Sequence, residues 1–464
     1  MGDQRSSDNA LWRLGVAETH SLYLSGEATP LDMLDAVLQR VEDVNPRINA
    51  FAFLDAAGAH AAATQSAQRW RTHAILGPLD GVVLTIKDNI TVAGLPCSWG
   101  TEVFRDFVPN RDEVPVARLR EAGAIILGKT TVSEFSNGRG IVSTRRFGTT
   151  RNPWRTTLTT GSSSAGSAAS VACGFGAAAL GTDGGGSIRL PASHCGFVGL
   201  KPSAGRVARA YGLPVILGGR EVIGPLARST ADLALLLQVI AKRHPSDGAS
   251  WGFPDAAVDI PIPQPPSQRV LYMKQVGLHA VASEVAAACD QVAATLVDLG
   301  HLVEVGEPPF DMAAQMRSSV ITQGGMAWLL RGKEWKGRVD DYYARVAEAG
   351  ANLTAADYID AVEALREVQA QIGWAFERWD LILSPVTGGL PGPADQPAPA
   401  DYSAYTSVAN TAGVPAIAIP AAPSPDGLPI GFQLVGPFGA ENLLLAMAAQ
   451  YEQRCPWRDR WPPI

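Results

Sequence analysis

The sequence predicts an α/β protein, one α/β/α domain around a large, mixed, twisted central sheet flanked by helices. Two patterns and one bulk property carry that prediction. Through about residue 240, segments with helical apolar spacing alternate with short, continuous apolar runs, as expected for a sheet covered by helices. Near the end, "VPAIAIPAA" and "LPIGFQLVG" read as further strands. The chain has 464 residues, 46% hydrophobic and 18% charged, which is ample for a large core. A prior of about 150 residues per domain allows about three domains, but large α/β folds often exceed it.

In chain order, "TPLDMLDAVLQRVEDVN" from Thr29 places Leu31, Leu34, Val37, Leu38 and Val41 at helical spacing, with Thr29 as N-cap. "VVLTI" from Val82 predicts a buried strand. "VPVARLREAG" from Val114 predicts an amphipathic helix, and "AIILG" from Ala124 a second buried strand. "GSSSAGSAASVACGFG" followed by "AAALG" reads as loop, helix and strand. The run from 156 to 182 is charge-free but rich in Gly, Ser and Ala, so it predicts a tightly packed segment rather than a membrane span. "PIPQPPSQ" (Pro261 to Gln268) is a connector. "RVLYM" predicts a strand, 281–299 a helix, and 309–380 mostly helix with Trp328, Trp335, Tyr342 and Tyr343. "GGLPGPADQPAPADY" (Gly388 to Tyr402) predicts an irregular loop over a surface or pocket mouth.

Composition removes several function classes. The formal net charge is −7 and no run of five Lys or Arg occurs, so nucleic acid is not an expected partner. Cys97, Cys173, Cys195, Cys289 and Cys455 are odd in number, widely spaced and free of CxxC. A reducing, cytoplasmic setting without a disulfide framework is expected. The seven histidines form no HxxxH or HExxH, so no metal is expected. "MGDQRSSDNALWRLG" lacks the apolar run of a signal peptide, and no membrane association is expected. "GSSSAGS" is not a phosphate loop, because no GxxxxGK[ST] accompanies it.

The chemistry concentrates in "GTDGGGSIR" (181–189). Glycine costs roughly 0.5–1 kcal/mol against alanine inside a helix or strand, so three in a row need a reason. A backbone without Cβ atoms turns sharply and aims consecutive N–H groups at one point, which is how main chain builds an oxyanion hole. Gly184, Gly185 and Gly186 with Ser187 fit a hole and nucleophile together. A serine needs a base. No histidine stands in a triad context, and no GxSxG elbow exists. "LTIKDNI" instead puts Lys87 at the end of a buried strand, where desolvation lowers a lysine's pKa. A shift from about 10.4 to near 7 corresponds to roughly 4–5 kcal/mol. Neutral Lys87 then draws a proton through Ser163 of "GSSSAGS" to activate Ser187. Asp183 and Arg189 read as a structural ion pair holding this loop, and His194 and Cys195 as packing residues. The aromatic residues of 328–343 read as helix core.

These segments resemble the amidase signature family. "GPLDGVVLTIKDNITVAGLP" is similar to its lysine segment. "GTTRNPW" through "TGSSSAGSAASVACGFGAAALGTDGGGSIRLPASHCGFVGLKPSAGRV" is similar to its Ser/Gly signature, and "AGVPAIAIP" and "GLPIGFQLVG" to its C-terminal strands. The resemblance runs from about Leu11 to Tyr451. It implies Lys87 as base, Ser163 as bridging serine on a cis peptide and Ser187 as acyl-forming nucleophile. Ser164 is implied as a hydrogen-bond partner of the lysine, and the 184–187 N–H groups as the oxyanion hole. A single domain over 1–464 follows, with a signature core of about 77–240. A variable helical, pocket-covering portion of about 241–400 and C-terminal strands and helix from about 401 to 464 complete it.

The chain departs from the family pattern twice. "GSSSAG" stands where GGSSGG is usual, and Gly184 stands where a threonine is usual, which is expected to open the wall of the hole. "SEFSNGRG" resembles a loop lining the family's cleft and assigns Ser136, Asn137 and Gly138 to substrate. Tyr211 to Gly219 and Thr387 to Asn410 are further pocket-wall candidates. The expected activity is hydrolysis of an amide, anilide or carbamate through an acyl-enzyme on Ser187, releasing an amine without a cofactor. The expected partner is a small, fairly apolar amide or carbamate, and a homodimer is left open. Two alternatives stand beside it: aryl-ester or urethane preference within the same chemistry, and a glutaminase-type component of an aminoacyl-tRNA amidotransferase.

Overall fold

A computed structural model describes residues 10–137, 140–253, 258–277, 280–399 and 401–464. Its centre is a mixed sheet of eleven strands. In chain order these are β1 (Phe51–Leu54), β2 (Val83–Lys87), β3 (Ile125–Thr130), β4 (Ala178–Asp183), β5 (Val198–Lys201) and β6 (Val222–Ala227). They continue with β7 (Arg269–Tyr272), β8 (Leu302–Val305), β9 (Leu381–Pro385), β10 (Ala416–Pro420) and β11 (Gly431–Val435). Across the sheet the order is β1-β3-β2-β4-β6-β5-β10-β11-β9-β7-β8. Parallel pairs join β3, β2 and β4 at one end and β9, β7 and β8 at the other. Antiparallel pairs run through the middle from β4 to β9.

Both faces of the sheet are covered. Side chains alternate across a strand, so Val83 joins a core with Ile125, Leu127, Phe175 and the helix Pro30–Ile48. Leu84, Ile86 and Ile126 join another core with Leu233, Leu236 and Leu444. Strands buried on both faces lose polar alternation and read as continuous apolar runs, which is why "VVLTI" and "AIILG" are legible. The helix from Thr29 also forms as its pattern predicts. Thr29 caps it, accepting from Asp32 N, and Leu34, Val37 and Val41 are buried. The expected strands, the Val114–Glu121 helix, the helix within 281–299 and an irregular loop over 388–399 and 401–402 are present.

The Gly/Ser/Ala run supplies a helix, Ala165–Cys173, that is buried along its whole length. Small side chains let it lie close to the sheet. A Cβ on Gly166 would collide with Ala50 O and Thr131 N. Hydroxyl pairs tie the helix down: Thr85 to Ser170 at 2.8 Å and Thr130 to Ser167 at 2.7 Å. Thr85 and Lys87 share a strand face, so the same alternation turns the lysine toward the start of this helix. Among the described residues, no helix is long and apolar enough to cross a membrane.

Candidate active site

Lys87 closes β2 and is fully buried. Its Nζ lies 2.8 Å from Ser163 Oγ, 2.7 Å from Thr182 Oγ1 and 3.2 Å from Thr182 O. Burial lowers its pKa from the ordinary lysine value to about 7; Glu221 and Asp183 oppose that shift and Arg209 adds to it. Ser163 follows a cis peptide bond from Ser162, as the resemblance implied. Ser163 and Ser187 line one cavity of about 430 Å³. Their loops are tied together where Ser164 N donates to Ser187 O at 3.2 Å.

Ser164 is not where the resemblance put it. Its hydroxyl donates to Thr182 O at 3.2 Å, and the lysine's partners besides Ser163 are the two oxygens of Thr182. Thr182 stands two residues before the glycine run, and no sequence signal marked it. Its hydroxyl also accepts from Asn89 Nδ2 at 3.1 Å.

Asp183 organises the glycine turn. Its Oδ1 accepts from Gly186 N at 2.7 Å and its Oδ2 from Ile188 N at 3.1 Å. Arg189 meets both oxygens at 3.0 Å, and both side chains are fully buried. Although burial opposes it, the Arg189 guanidinium holds the Asp183 carboxyl well below the usual carboxylate range. Arg189 also donates to Asn410 Oδ1 and Gln433 Oε1, and Asn410 donates to Asp183. The expected structural pair is therefore present, and it anchors α- and β-elements from the C-terminal part of the chain.

That arrangement corrects the set of N–H donors. The Gly186 N–H is spent on Asp183, so it cannot serve a substrate oxygen. Gly186 is needed for shape: its φ is +124°, and a Cβ there would run into Thr406 Oγ1. Gly184, Gly185 and Ser187 line the cavity, and their N–H groups meet no partner among the described residues. The room at Gly184 is not open either. Leu217 Cδ1 lies 2.5 Å from where a Cβ on residue 184 would stand, so leucine fills the space a threonine would take.

The remaining candidates divide. Ser136 and Asn137 line the cavity; Gly138 lies outside the described residues. Leu217, Pro399, Asp401 to Ala404 and Ser407 line it from the two expected wall segments. A second cavity of about 430 Å³ shares Pro399, Asp401 and Tyr402. Tyr343 packs on Phe135 in the core, but Tyr342 faces the cavity and Trp328 is exposed, so the aromatic group is only partly helix core. His194 and Cys195 are buried packing residues; burial lowers the His194 pKa to about 4. Among the described residues, no His, Cys, Asp or Glu cluster fits a metal ion.

Burial alone does not single out Lys87. Lys129 and Lys201 also end or interrupt buried strands and are fully buried. Lys201 Nζ donates to Pro202 O at 2.8 Å, and burial lowers its pKa to about 7 as well. Lys129 Nζ donates to Asp88 O at 3.2 Å. Of the three, Lys87 is the one within reach of a cavity-lining hydroxyl, Ser163.

The chain has counterparts among known proteins. The Amidase family model matches residues 32–445. The chain is 32% identical to a glutamyl-tRNA(Gln) amidotransferase subunit of Methylacidiphilum infernorum, over 98% of this chain and 97% of that one. It is 35% identical to the protein of the same name from a Synechococcus strain, over 97% of each. Among solved structures, 6-aminohexanoate cyclic dimer hydrolase complexed with substrate superposes with a TM-score of 0.88 at 29% identity, over 98% of this chain and 99% of that one. Native peptide amidase from Stenotrophomonas maltophilia superposes with a TM-score of 0.84 at 29% identity, over 100% and 99%. With a family model matched over most of its length and relatives aligned nearly end to end, this chain belongs to the amidase family.

Proposed function

We propose that this protein is an amidohydrolase that cleaves a carbonyl C–N bond of a small amide, anilide or carbamate through an acyl-enzyme on Ser187. One observation carries the reading: a buried lysine with a pKa of about 7 contacts Ser163 at 2.8 Å, on the cavity that also holds Ser187. A neutral amine has two hydrogens and one lone pair. The two oxygens of Thr182 accept the hydrogens, and the lone pair faces the Ser163 hydroxyl. Ser163 then relays a proton from Ser187 as Ser187 attacks the carbonyl. The N–H groups of Gly184, Gly185 and Ser187 face the developing oxyanion. The proton returns to the leaving amine, and water releases the acyl or carbamoyl group by the reverse relay.

The test is release of p-nitroaniline or p-nitrophenol from an acyl anilide, an aryl carbamate and an aryl ester. Wild type is expected to turn over at least one, and Ser187→Ala none. Undiminished turnover in Ser187→Ala refutes the mechanism.

A second reading has its own support: the curated relatives described above carry the name of a glutamyl-tRNA(Gln) amidotransferase component. In that reading the same serine chemistry releases ammonia from glutamine for a partner-held acceptor. Glutaminase activity that appears only with partner chains, and no turnover of the anilide panel, would select it.

A further inference from the structure

Among the described residues, two charged side chains line the cavity of Ser163 and Ser187: Asp401 and Arg220. Arg220 is unlike three other wholly or partly buried arginines in this protein. Arg189 is matched by Asp183, Arg209 by Glu113 and Glu221, and Arg69 by Asp80. No carboxylate pairs with Arg220 among the described residues. Its acceptors are two backbone carbonyls: Nε donates to Leu217 O at 3.0 Å and Nη2 to Ser318 O at 3.2 Å. The neighbouring Glu221 is committed to Arg209 at 2.7 Å. Arg228 also lacks a carboxylate; its Nη2 donates to the carbonyls of Arg458 and Arg460, it stacks on Trp461, and it is not among the cavity-lining residues.

A guanidinium has five donors in a planar fork suited to a carboxylate. Two of Arg220's donors hold it in place, and Nη1 has no acceptor among the described residues. Leu190, Leu217, Met312 and Met316 line the same cavity and give it an aliphatic part. Burial lowers its pKa to about 10, so it stays charged at neutral pH.

We propose that Arg220 is a specificity-determining residue that binds a carboxylate on the substrate, so that the preferred substrate is an amide bearing an anionic group on an aliphatic arm. This rests on the hydrolase reading above. The carboxylate belongs either to the acyl part or to the amine part, and two probe pairs separate these.

The experiment is calorimetric binding to Ser187→Ala protein, in which turnover plays no part. One pair is pentanoyl and 4-carboxybutanoyl p-nitroanilide; the other is N-butylacetamide and 4-acetamidobutanoate. In one of the pairs the carboxylated member is expected to bind about 10- to 100-fold tighter than the neutral one, the range of a hydrogen bond to a charged group. Arg220→Gln in the same background should abolish that preference and leave the neutral probe within about two-fold. Arg220→Lys should keep part of it. Carboxylated probes that bind no tighter than neutral ones, absence of binding by all four, or a preference that survives Arg220→Gln would each overturn the proposal. If the Arg220 variants do not fold, Ser187→Ala protein that binds neither carboxylated probe tighter than its neutral partner still overturns the proposal. Arg220-dependent carboxylate binding together with inactive wild type would count against the hydrolase reading alone.

Discussion

At the scale of single residues, the proposed chemistry rests on Lys87 and Ser163. A base with a pKa of about 7 works when neutral. The proposed rate should therefore rise with pH through about 7 and level off above it, read as kcat/KM against pH on a neutral anilide. A profile flat from pH 6 to 9 would mean that Lys87 does not titrate in the rate-limiting step. Lys87→Ala should lower kcat by about 10²- to 10⁴-fold, the usual weight of a positioned base, with little change in KM. Thr182→Val removes one of the lysine's two Thr182 acceptors but keeps the carbonyl. It is expected to shift the pH midpoint rather than abolish activity.

At the scale of elements, the turn between β4 and the Arg189–Cys195 helix is held by a buried charge pair and its amide partners. Removing one partner of a buried pair strands the other, at a cost of about 3–5 kcal/mol. Arg189→Met should show that loss in urea unfolding and also lose turnover, because Asp183 orders the backbone that carries Ser187. A stable but inactive variant would instead point to a direct role for Arg189. On β5, Lys201 gives a linkage test. Its folded pKa of about 7 lies below the unfolded value, so between pH 7 and 10 the unfolded chain binds more protons. Lys201 therefore adds stability as pH rises through that window. Lys201→Met should compare best with wild type near pH 7, and its relative Tm should fall as pH approaches 10. A Tm difference that does not change with pH would contradict this.

Over the whole molecule, the C-terminal segment closes one core from outside the site. Trp457 is fully buried and donates from Nε1 to Arg228 O at 2.9 Å. Trp457→Ala should cost about 3–5 kcal/mol in denaturant unfolding, with kcat per folded molecule unchanged. A fall in kcat without a fall in stability would reveal coupling between this corner and the cavity. The sheet explains the separation. Its middle strand β11 brings Gln433 to Arg189 and the helix Ala404–Thr411 brings Asn410, while Trp457 packs in the core that holds Leu233 and Leu444.

The sequence by itself determined the layered α/β fold, because strands buried on both faces have continuous apolar runs and capped helices have their own period. It also determined the residue types of the site, because a glycine run before a serine and a lysine ending an apolar strand are local, costly features. The tertiary structure decided which of these groups meet. Lys87, Lys129 and Lys201 look alike as strand lysines, and only packing puts Ser163 beside the first. Thr182 in place of Ser164, the Gly186 N–H spent on Asp183, and Leu217 filling the space at Gly184 depend on distances between segments that no local spacing encodes. Arg220 left no signal at all. Its standing comes from the acidic partner it lacks, and that is a property of the folded neighbourhood, where Glu221 one residue away has turned to Arg209.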